Sequence, residues 1–338
     1  MQVGRLSLVN RVFLAPMSGV SDVPFRRLAR RFGAGLVVSE MVASGEYLKG
    51  VTESSLRALR DGQGIHAVQL AGREPEVMGE AARRLAASGA DIIDINFGCP
   101  AKKVVGGLSG SALMREPDLA LAIVEAVVAG AGDIAVTVKM RLGWDHQSIT
   151  APWLARRAEE AGVRMVTVHG RTRSDFYDGT ADWRAIGAVR RAISIPLVAN
   201  GDLVSSDRLS EMLALSGADA VMVGRGAYGR PWLPGLMAGA ISIDELEQID
   251  LGELALEHYE AMLLHYGTHI GTRHARKHLG WYLDRFAATG AALPSSERKA
   301  IMTAIQPATV RQHLAAILAG TSLADVEQAA TARKREAA

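Results

Sequence analysis

The sequence contains a single cysteine, Cys99, in 338 residues. One thiol cannot form a disulfide within the chain, which indicates the reducing cytosol. No stretch approaches about 20 uninterrupted apolar residues, so we expect no membrane span. Residues 1–17 lack a long uncharged apolar region, because Arg5 and Arg11 interrupt it, and we expect no signal peptide. These absences predict a cytoplasmic protein without membrane association; we also expect a monomer and no bound metal.

The chain also lacks a strong excess of charge. Its formal net charge is +2, with 22% charged and 49% hydrophobic residues. Such a composition is ordinary for a globular protein. It neither requires nor excludes a nucleic-acid partner, and only local patches of charge can decide.

Eight short apolar runs recur along the first part of the chain, at 11–17, 35–41, 66–70, 91–98, 133–140, 164–170, 195–202 and 219–226. They are continuous, as expected for parallel strands that are buried on both faces. Helical patterns separate them, for example at 77–88, 118–129, 152–161 and 182–192. Eight such units predict a (β/α)8 TIM barrel.

The main alternative fold is a doubly wound open sheet. That fold usually has fewer strands and a G-x-G-x-x-G sequence after the first one. Here the first run ends in "APMSGVSD", which lacks that pattern. The apolar runs stop near residue 239, and only helical patterns follow. We therefore predict a barrel at 1–240, a smaller all-helical domain at 241–325 and a disordered tail at 326–338.

Functional residues of a barrel lie where its strands end. The predicted ends carry a His, a Lys, a Cys and two amides, more chemistry than ordinary turns need. The loops "ANGDL" and "VGRGA" follow strands seven and eight, where many barrels bind a phosphate. Glycines let backbone N–H groups approach the anion, and Arg225 can pair with it. The alternative is that Gly201, Gly224 and Gly226 serve only as turn glycines.

Lys139 ends an apolar strand, and a buried lysine needs a partner or a chemical role. It can hold negative charge on an electron-rich ring, form a Schiff base or pair with a core carboxylate. A strand-end histidine such as His169 is usually structural. Beside Lys139 and a phosphate site, it becomes a candidate ligand for an anionic cofactor.

Cys99 lies just beyond its strand, in a loop shaped by glycine and proline. Lys102 and Lys103 follow, and nearby cations lower the pKa of a thiol. The residue is therefore a candidate nucleophile or general acid. The sequence alone does not decide between the two roles.

Taken together, the motifs resemble those of the tRNA-dihydrouridine synthases, most of all the bacterial B subfamily. The resemblance runs from about residue 10 to 285 and rests on the segments "APMSGVSDVPFR", "VQLAG", "DINFGCPAKKV", "GSALM", "VTVKMRLGWD", "VTVHGRTR", "VANGDL", "GADAVMVGRGAYGRPW" and "ARKHLGWYL". The pair "GCPAKKV" and "HGRTR" is the most specific part. The segment "SDFYDGTADW" and the glycine-rich "VVGGLSG" depart from the motifs that we can match.

This resemblance implies non-covalently bound FMN on the barrel rim. By motif position, Pro16, Met17 and Ser18 would line the flavin ring through backbone contacts. Gln69 and Lys139 would hydrogen-bond the ring, and His169 would help to hold the flavin and its phosphate. The phosphate and ribityl chain would contact Asn200, Gly201, Asp202, Gly224 and Arg225.

The implied reaction is reduction of the C5–C6 double bond of a tRNA uridine, with NADPH, or alternatively NADH, as the reductant. Hydride goes to C6, and Cys99 protonates C5. A mobile loop would place that thiol over a base flipped out of its stack. Asn96 is the candidate that hydrogen-bonds the uracil edge. By subfamily, we expect a uridine of the D-loop, at position 17.

A tRNA partner also accounts for basic residues on the rim loops and on one helix of the C-terminal domain: Lys102, Lys103, Arg141, Arg171, Arg173, Arg273, Arg276 and Lys277. Cationic contacts to phosphates position RNA without specifying its sequence. The alternative for the helix is a solvated charged face. Two other functions remain open: an FMN barrel that reduces a free pyrimidine or an enoate, like a dihydroorotate dehydrogenase, and a non-catalytic RNA-binding protein on a barrel.

Overall fold

The structure is a computed structural model that describes residues 1–336, except for the side chains of Lys102, Lys103 and residues 333–336. The predicted RNA contacts of Lys102 and Lys103 therefore lie outside the described residues, as do residues 337–338.

Ten strands form a hairpin and a closed barrel. The hairpin pairs β1 (Gln2–Val3) with β2 (Leu6–Ser7). The barrel strands are β3 (Val12–Leu14), β4 (Leu36–Ala43), β5 (Ala67–Ala71), β6 (Ile92–Phe97), β7 (Ala135–Arg141), β8 (Met165–His169), β9 (Leu197–Asn200) and β10 (Ala220–Val223). They follow one another around the barrel in chain order, and β10 pairs with β3 to close it. The predicted (β/α)8 barrel is confirmed, with a strand in each apolar run.

Ten helices accompany the barrel: α1 (Val23–Arg31), α2 (Ser44–Leu48), α3 (Thr52–Arg57), α4 (Pro75–Ala87), α5 (Lys102–Gly106), α6 (Pro117–Ala131), α7 (Ala151–Glu160), α8 (Trp183–Arg190), α9 (Leu209–Ser216) and α10 (Leu233–Met237). Six more follow: α11 (Ile243–Glu247), α12 (Leu251–Tyr266), α13 (Thr268–Ala288), α14 (Ser295–Thr303), α15 (Pro307–Leu318) and α16 (Leu323–Glu336). The predicted helical C-terminal region is thus confirmed. Among the described residues, no helix combines the length and apolar character that a membrane crossing needs.

Alternation along the strands separates two apolar cores. Side chains that point outward, such as Ile93 and Ile95, pack against the surrounding helices. Those that point inward at the strand starts, such as Ile92 and Met165, fill the barrel together with Val3 of the hairpin. Because side chains alternate with a period of two, the next inward positions belong to the residues nearest the open end. They become polar there, and this change of character produces the site.

The helical region has its own core, which includes Leu28 of α1 and Phe32 just after that helix and so joins it to the barrel. Helix α16 occupies residues for which the sequence predicts a disordered tail from residue 326. The structure differs because Glu327, only 6% exposed, accepts hydrogen bonds from Arg230 (2.7 Å to Nε) and from the Trp232 indole (2.6 Å). A buried ion pair across 97 residues of sequence is invisible to local pattern.

Candidate active site

A cleft of about 910 Å³ opens at the carboxyl ends of the barrel strands. This volume is within the usual range for sites that bind small molecules and cofactors. All of the predicted cofactor residues line it, as do the predicted catalytic and uracil-binding residues: Pro16, Met17, Ser18, Gln69, Asn96, Cys99, Lys139, His169, Asn200, Gly201, Asp202, Gly224 and Arg225. The topology therefore brings together residues that are up to 209 positions apart, from Pro16 to Arg225.

The floor of the cleft is a chain of buried hydrogen bonds across three strands. Asp94 on β6 accepts from Thr137 on β7 (2.6 Å) and from the Gln69 amide on β5 (2.6 Å). The carbonyl oxygen of Gln69 accepts from the Asn96 amide (2.7 Å). The Asn96 oxygen in turn accepts from the backbone N–H groups of Gly98 (3.1 Å) and Cys99 (3.0 Å). The chain thereby fixes the start of the loop that carries the thiol.

This arrangement leaves donors for a ligand. An amide group has two N–H donors, and the bonds above use one each on Gln69 and Asn96. Lys139 donates to the side-chain oxygen of Asn200 (3.1 Å), and Asn200 is held by the Met222 carbonyl (2.8 Å). Burial, opposed by Asp94, lowers the pKa of Lys139 to about 8, so the amine is still largely protonated at neutral pH. The floor therefore offers N–H donors and a positive charge to a ring that is rich in carbonyl groups.

The loop after β6 places Cys99 on the cleft wall. The backbone carbonyl of Cys99 accepts hydrogen bonds from the Ser111 hydroxyl (2.8 Å) and N–H (3.1 Å). These two bonds connect the start of the loop to Ser111 at its other end. Burial raises the pKa of the thiol, and the lowering effect of Arg141 and Lys139 is smaller. The expectation of a lowered thiol pKa is therefore wrong. A thiol that stays protonated is suited to donate a proton rather than to attack as a thiolate.

Positive charge is concentrated at the ends of β7, β8 and β10. Burial, together with the charges of Lys139, Arg141, Arg171 and Arg225, holds the pKa of His169 well below its usual value. Among the described residues, Asp202 is the one carboxylate that forms salt bridges with these cations. It binds Arg171 (2.7 Å) and Arg225 (3.2 Å). The corner therefore keeps an excess of cations, as an anion site requires.

Glycine is needed in this corner for different reasons at positions 201, 224 and 226. Gly201 has a φ of +119°, and a Cβ there would lie 2.8 Å from His169 Cδ2. A Cβ on Gly226 would lie 2.7 Å from the Leu203 carbonyl oxygen. Packing alone explains both. Gly224 has ordinary φ, and its Cβ would meet only Ala15 and Met17, at 3.9 Å. A Cβ at Gly224 would instead project into the cleft, which fits close approach of a ligand to the backbone.

Burial argues against direct phosphate contacts by two of the predicted RNA-binding residues, although Arg141 lines the cleft. Arg171 is 2% exposed and Arg141 is 1% exposed. Arg171 binds Asp202 and the carbonyls of Asp178 (3.0 Å) and Gly179 (2.7 Å). Arg141 donates to the carbonyls of Gly98 (2.9 Å), Thr172 (2.7 Å) and Phe176 (2.8 Å). Both arginines tie rim loops together, since each loop carbonyl inside the barrel mouth needs a donor.

The other basic residues differ in their access to solvent. Arg273 is exposed, and Arg173 is half-buried with its guanidinium carbon 4.7 Å from the Trp144 ring centre. Arg276 is half-buried and donates to the carbonyls of Thr303 (3.4 Å) and Ala304 (3.3 Å). Lys277 is also half-buried, and burial lowers its pKa against the opposing effect of Asp22 and Glu40. The helix face is therefore neither a uniform RNA surface nor a uniformly solvated one.

The cleft also has an aromatic edge, of which the sequence pointed only to Trp281, next to the basic residues of its helix. Tyr228 and Trp281 stack with ring centres 4.0 Å apart and planes inclined by 13°. Tyr177 lies under the guanidinium groups of Arg225 (4.8 Å) and Arg141 (5.4 Å). All three rings line the cleft. Tyr228 and Trp281 stand inside quoted motifs, but only the fold shows that residues 53 positions apart are stacked.

Comparison with known proteins then decides the family. The family model described as "Dihydrouridine synthase (Dus)" matches residues 13–314. The chain belongs to the dihydrouridine synthase family. It is 58% identical over 309 residues to a "Probable tRNA-dihydrouridine synthase" of Rhizobium leguminosarum, covering 91% of this chain and 95% of the relative. It is 45% identical over 292 residues to "tRNA-dihydrouridine synthase B" of Pseudomonas aeruginosa, covering 83% and 86%. The predicted family is confirmed.

Solved structures show the fold that the dihydrouridine synthase chain shares. It resembles histamine dehydrogenase from Rhizobium sp. 4-9 with a TM-score of 0.55 and 14% identity, covering 77% of this chain and 50% of that one. The chain thus spans half the length of that protein. A 2-naphthoyl-CoA reductase matches with a TM-score of 0.52 and 14% identity, covering 72% and 52%. At these identities the likeness concerns the barrel alone.

Proposed function

We propose that the chain is an FMN-dependent tRNA-dihydrouridine synthase. It reduces the C5–C6 double bond of a D-loop uridine, at position 17, with NADPH as the reductant. The observation that carries the proposal is the shared cleft: the chain's only thiol faces a floor of N–H donors that includes Lys139. The two relatives described above, which are 58% and 45% identical to this chain, are named tRNA-dihydrouridine synthases.

The cleft fits FMN in three respects. The remaining donors of Gln69 and Lys139 suit the carbonyl oxygens and ring nitrogens of a flavin, and the protonated Lys139 suits negative charge on the ring. His169, Arg225 and the backbone at Gly224 suit the phosphate, with Asn200, Gly201 and Asp202 shaping the same corner. The backbone of residues 16–18 forms the adjoining wall. When bound, FMN supplies the hydride that is added to C6 of the uracil, having itself been reduced by the nicotinamide nucleotide.

Cys99 supplies the proton that C5 needs once C6 has accepted a hydride. Its raised pKa keeps the thiol protonated until that moment. The positive charges of Arg141 and Lys139 oppose the effect of burial on the thiol pKa. They also stabilise the thiolate that proton transfer leaves behind. A general acid in this position contributes about 10²–10⁴-fold to the rate.

Asn96 holds the uracil by its remaining amide hydrogen. Its oxygen is already used by the N–H groups of Gly98 and Cys99. A single side chain therefore contacts the base and fixes the start of the thiol loop. This coupling places the proton donor and the reacting carbon in one frame.

Surface arginines and the aromatic edge would bind the RNA. Arg173 and Arg273 keep access to solvent and suit phosphates. Tyr177, Tyr228 and Trp281 present ring surfaces on which bases next to the flipped uridine can stack. The half-buried Arg276 and Lys277 contribute less than the sequence suggests, because protein groups already surround them.

The test uses the purified full chain, NADPH and tRNA from a strain that lacks dihydrouridine synthases. We expect a yellow protein that releases FMN on denaturation, and dihydrouridine at position 17. A tRNA in which U17 is replaced by cytidine is the matched control and should remain unmodified. Reduction of free uridine monophosphate or orotate in place of tRNA would overturn the proposal, and modification at another site would overturn its position.

A further inference from the structure

A closed polar cluster lies where the barrel meets the helical region, apart from the cleft. It consists of Asp22 at the start of α1, His258 on α12 and His278 on α13. These residues are 3%, 1% and 2% exposed, respectively. One ligand atom from each lies within 4.8 Å of the other two. Three groups from three different helices thus surround one point.

Two nitrogen atoms of this cluster lack a partner. The Nε2 atoms of His258 and His278 are buried and make no hydrogen bond to any residue that the structure describes. Buried polar atoms are nearly always paired, because an unpaired one loses its contact with water without compensation. The centres of the two rings are 4.5 Å apart and their planes are inclined by 59°. A single third group that contacts both Nε2 atoms would therefore satisfy both rings.

The surrounding residues hold the three groups in place. The Nδ1 atom of His258 lies 3.0 Å from the hydroxyl of Tyr282. Asp22 accepts from the Phe25 N–H (3.1 Å) and from the Tyr266 hydroxyl (3.2 Å). Metal-binding histidines characteristically use the other ring nitrogen in this way, and ligating carboxylates are likewise hydrogen-bonded.

We propose that Asp22, His258 and His278 bind one divalent transition-metal ion of the Zn²⁺ type, which ties the helical region to the barrel. Two imidazoles and a carboxylate are a common zinc set and leave the fourth position for water. Zinc lies about 2.0–2.2 Å from such ligands, so each atom would need to close in by less than about 1 Å.

Metal binding requires neutral imidazoles and an ionised carboxylate. Burial raises the pKa of Asp22 to about 7, so the ion has to displace a proton from Asp22 near neutral pH. The nearest cations are Arg26, which lies 3.5 Å from Asp61, and Lys277, whose charge interacts with Asp22 and Glu40. The ligands stand at positions 22, 258 and 278, a spacing that matches no metal motif in sequence.

The experiment measures metal in the full-length protein and does not depend on its activity. The purified chain is stripped with a chelator and titrated with Zn²⁺ and, separately, with Co²⁺. We expect one equivalent of either ion, a rise in Tm of several degrees with Zn²⁺, and the visible absorption of tetrahedral Co²⁺. His258→Gln should lose all three effects, whereas the matched control His269→Gln, which changes an exposed histidine, should keep them.

Absence of stoichiometric Zn²⁺ binding by the stripped wild-type protein would overturn the proposal and leave an ordered water as the common partner. An equal response from His258→Gln and His269→Gln would also overturn it, since binding would then be non-specific. Should His258→Gln fail to fold, the Co²⁺ spectrum of the wild-type protein still decides. None of these results bears on tRNA reduction, so the two proposals can fail separately.

Discussion

The cleft floor and the Asp22–His258–His278 cluster are both polar and buried, yet they satisfy their groups differently. On the floor, Asp94, Gln69 and Asn96 bond to one another, and the donors that remain face open space. In the cluster, two buried imidazole nitrogens have no partner among the described residues. An open site keeps unused donors for a ligand that comes and goes. A closed one calls for a partner that stays.

This difference predicts that changes on the floor affect chemistry, while changes in the cluster affect stability. Among changes on the floor, Lys139→Met gives the largest effect. It removes the positive charge that opposes negative charge on a bound ring, so FMN-dependent turnover should fall by about 10²–10³-fold. Stopped-flow reduction by NADPH measures this loss.

The thermal stability of Lys139→Met also tests whether the floor serves chemistry rather than stability. The pKa of Lys139 in the folded protein, about 8, is below its usual 10.5, so burial disfavours the charged form. That penalty is present below pH 8 and disappears as the pH rises towards 10.5. Hence Lys139→Met should have an equal or higher Tm at pH 7. Lys49→Met is the control. A large fall in the Tm of Lys139→Met, with no change in the Tm of Lys49→Met, would show that Lys139 stabilises the fold instead.

Gly224→Ala is expected to weaken FMN binding by about tenfold, because the added Cβ obstructs close approach to the backbone. Protein packing does not oppose the substitution, since that Cβ meets protein atoms only at 3.9 Å. Fluorescence titration of flavin measures the affinity. Gly45→Ala, where nothing lies within 4 Å, is the control. Unchanged affinity would show that Gly224 is only a turn residue.

The smallest effect is expected from Asp22→Asn in the metal-free protein. Burial raises the pKa of Asp22 to about 7 from 3.8, so folding favours the neutral form. The stabilisation that this gives is complete below pH 3.8 and is lost as the pH rises to 7. Asparagine stays neutral and still caps α1. The Tm of the variant relative to wild type should therefore increase by a few degrees from pH 4 to 7; a constant difference would contradict the shifted pKa.

Much of the fold and the cleft is predictable from sequence, because both follow from local periodicity. The inward series of several strands passes from apolar to polar, as in Ile92, Asp94 and Asn96, and the barrel rule then places the polar end at the open mouth. Motif position identified the lining residues from Pro16 to Arg225, and the structure brings them together.

What sequence does not predict depends on contacts between distant segments. Arg141 and Arg171 look like RNA contacts until the rim loops close over them. The pKa of Cys99 depends on burial as well as on charge, and burial is a property of the fold. Helix α16 depends on Glu327 reaching Arg230, and the histidine cluster depends on α12 and α13 packing against α1.

The central claim is that Cys99 donates the proton while the floor holds the flavin, and Cys99→Ala tests it most directly. The two half-reactions are measured separately: reduction of the protein by NADPH, and its reoxidation by tRNA. We predict normal FMN content and normal NADPH reduction, with tRNA reduction slowed by about 10³-fold. Normal formation of dihydrouridine by Cys99→Ala would contradict the account.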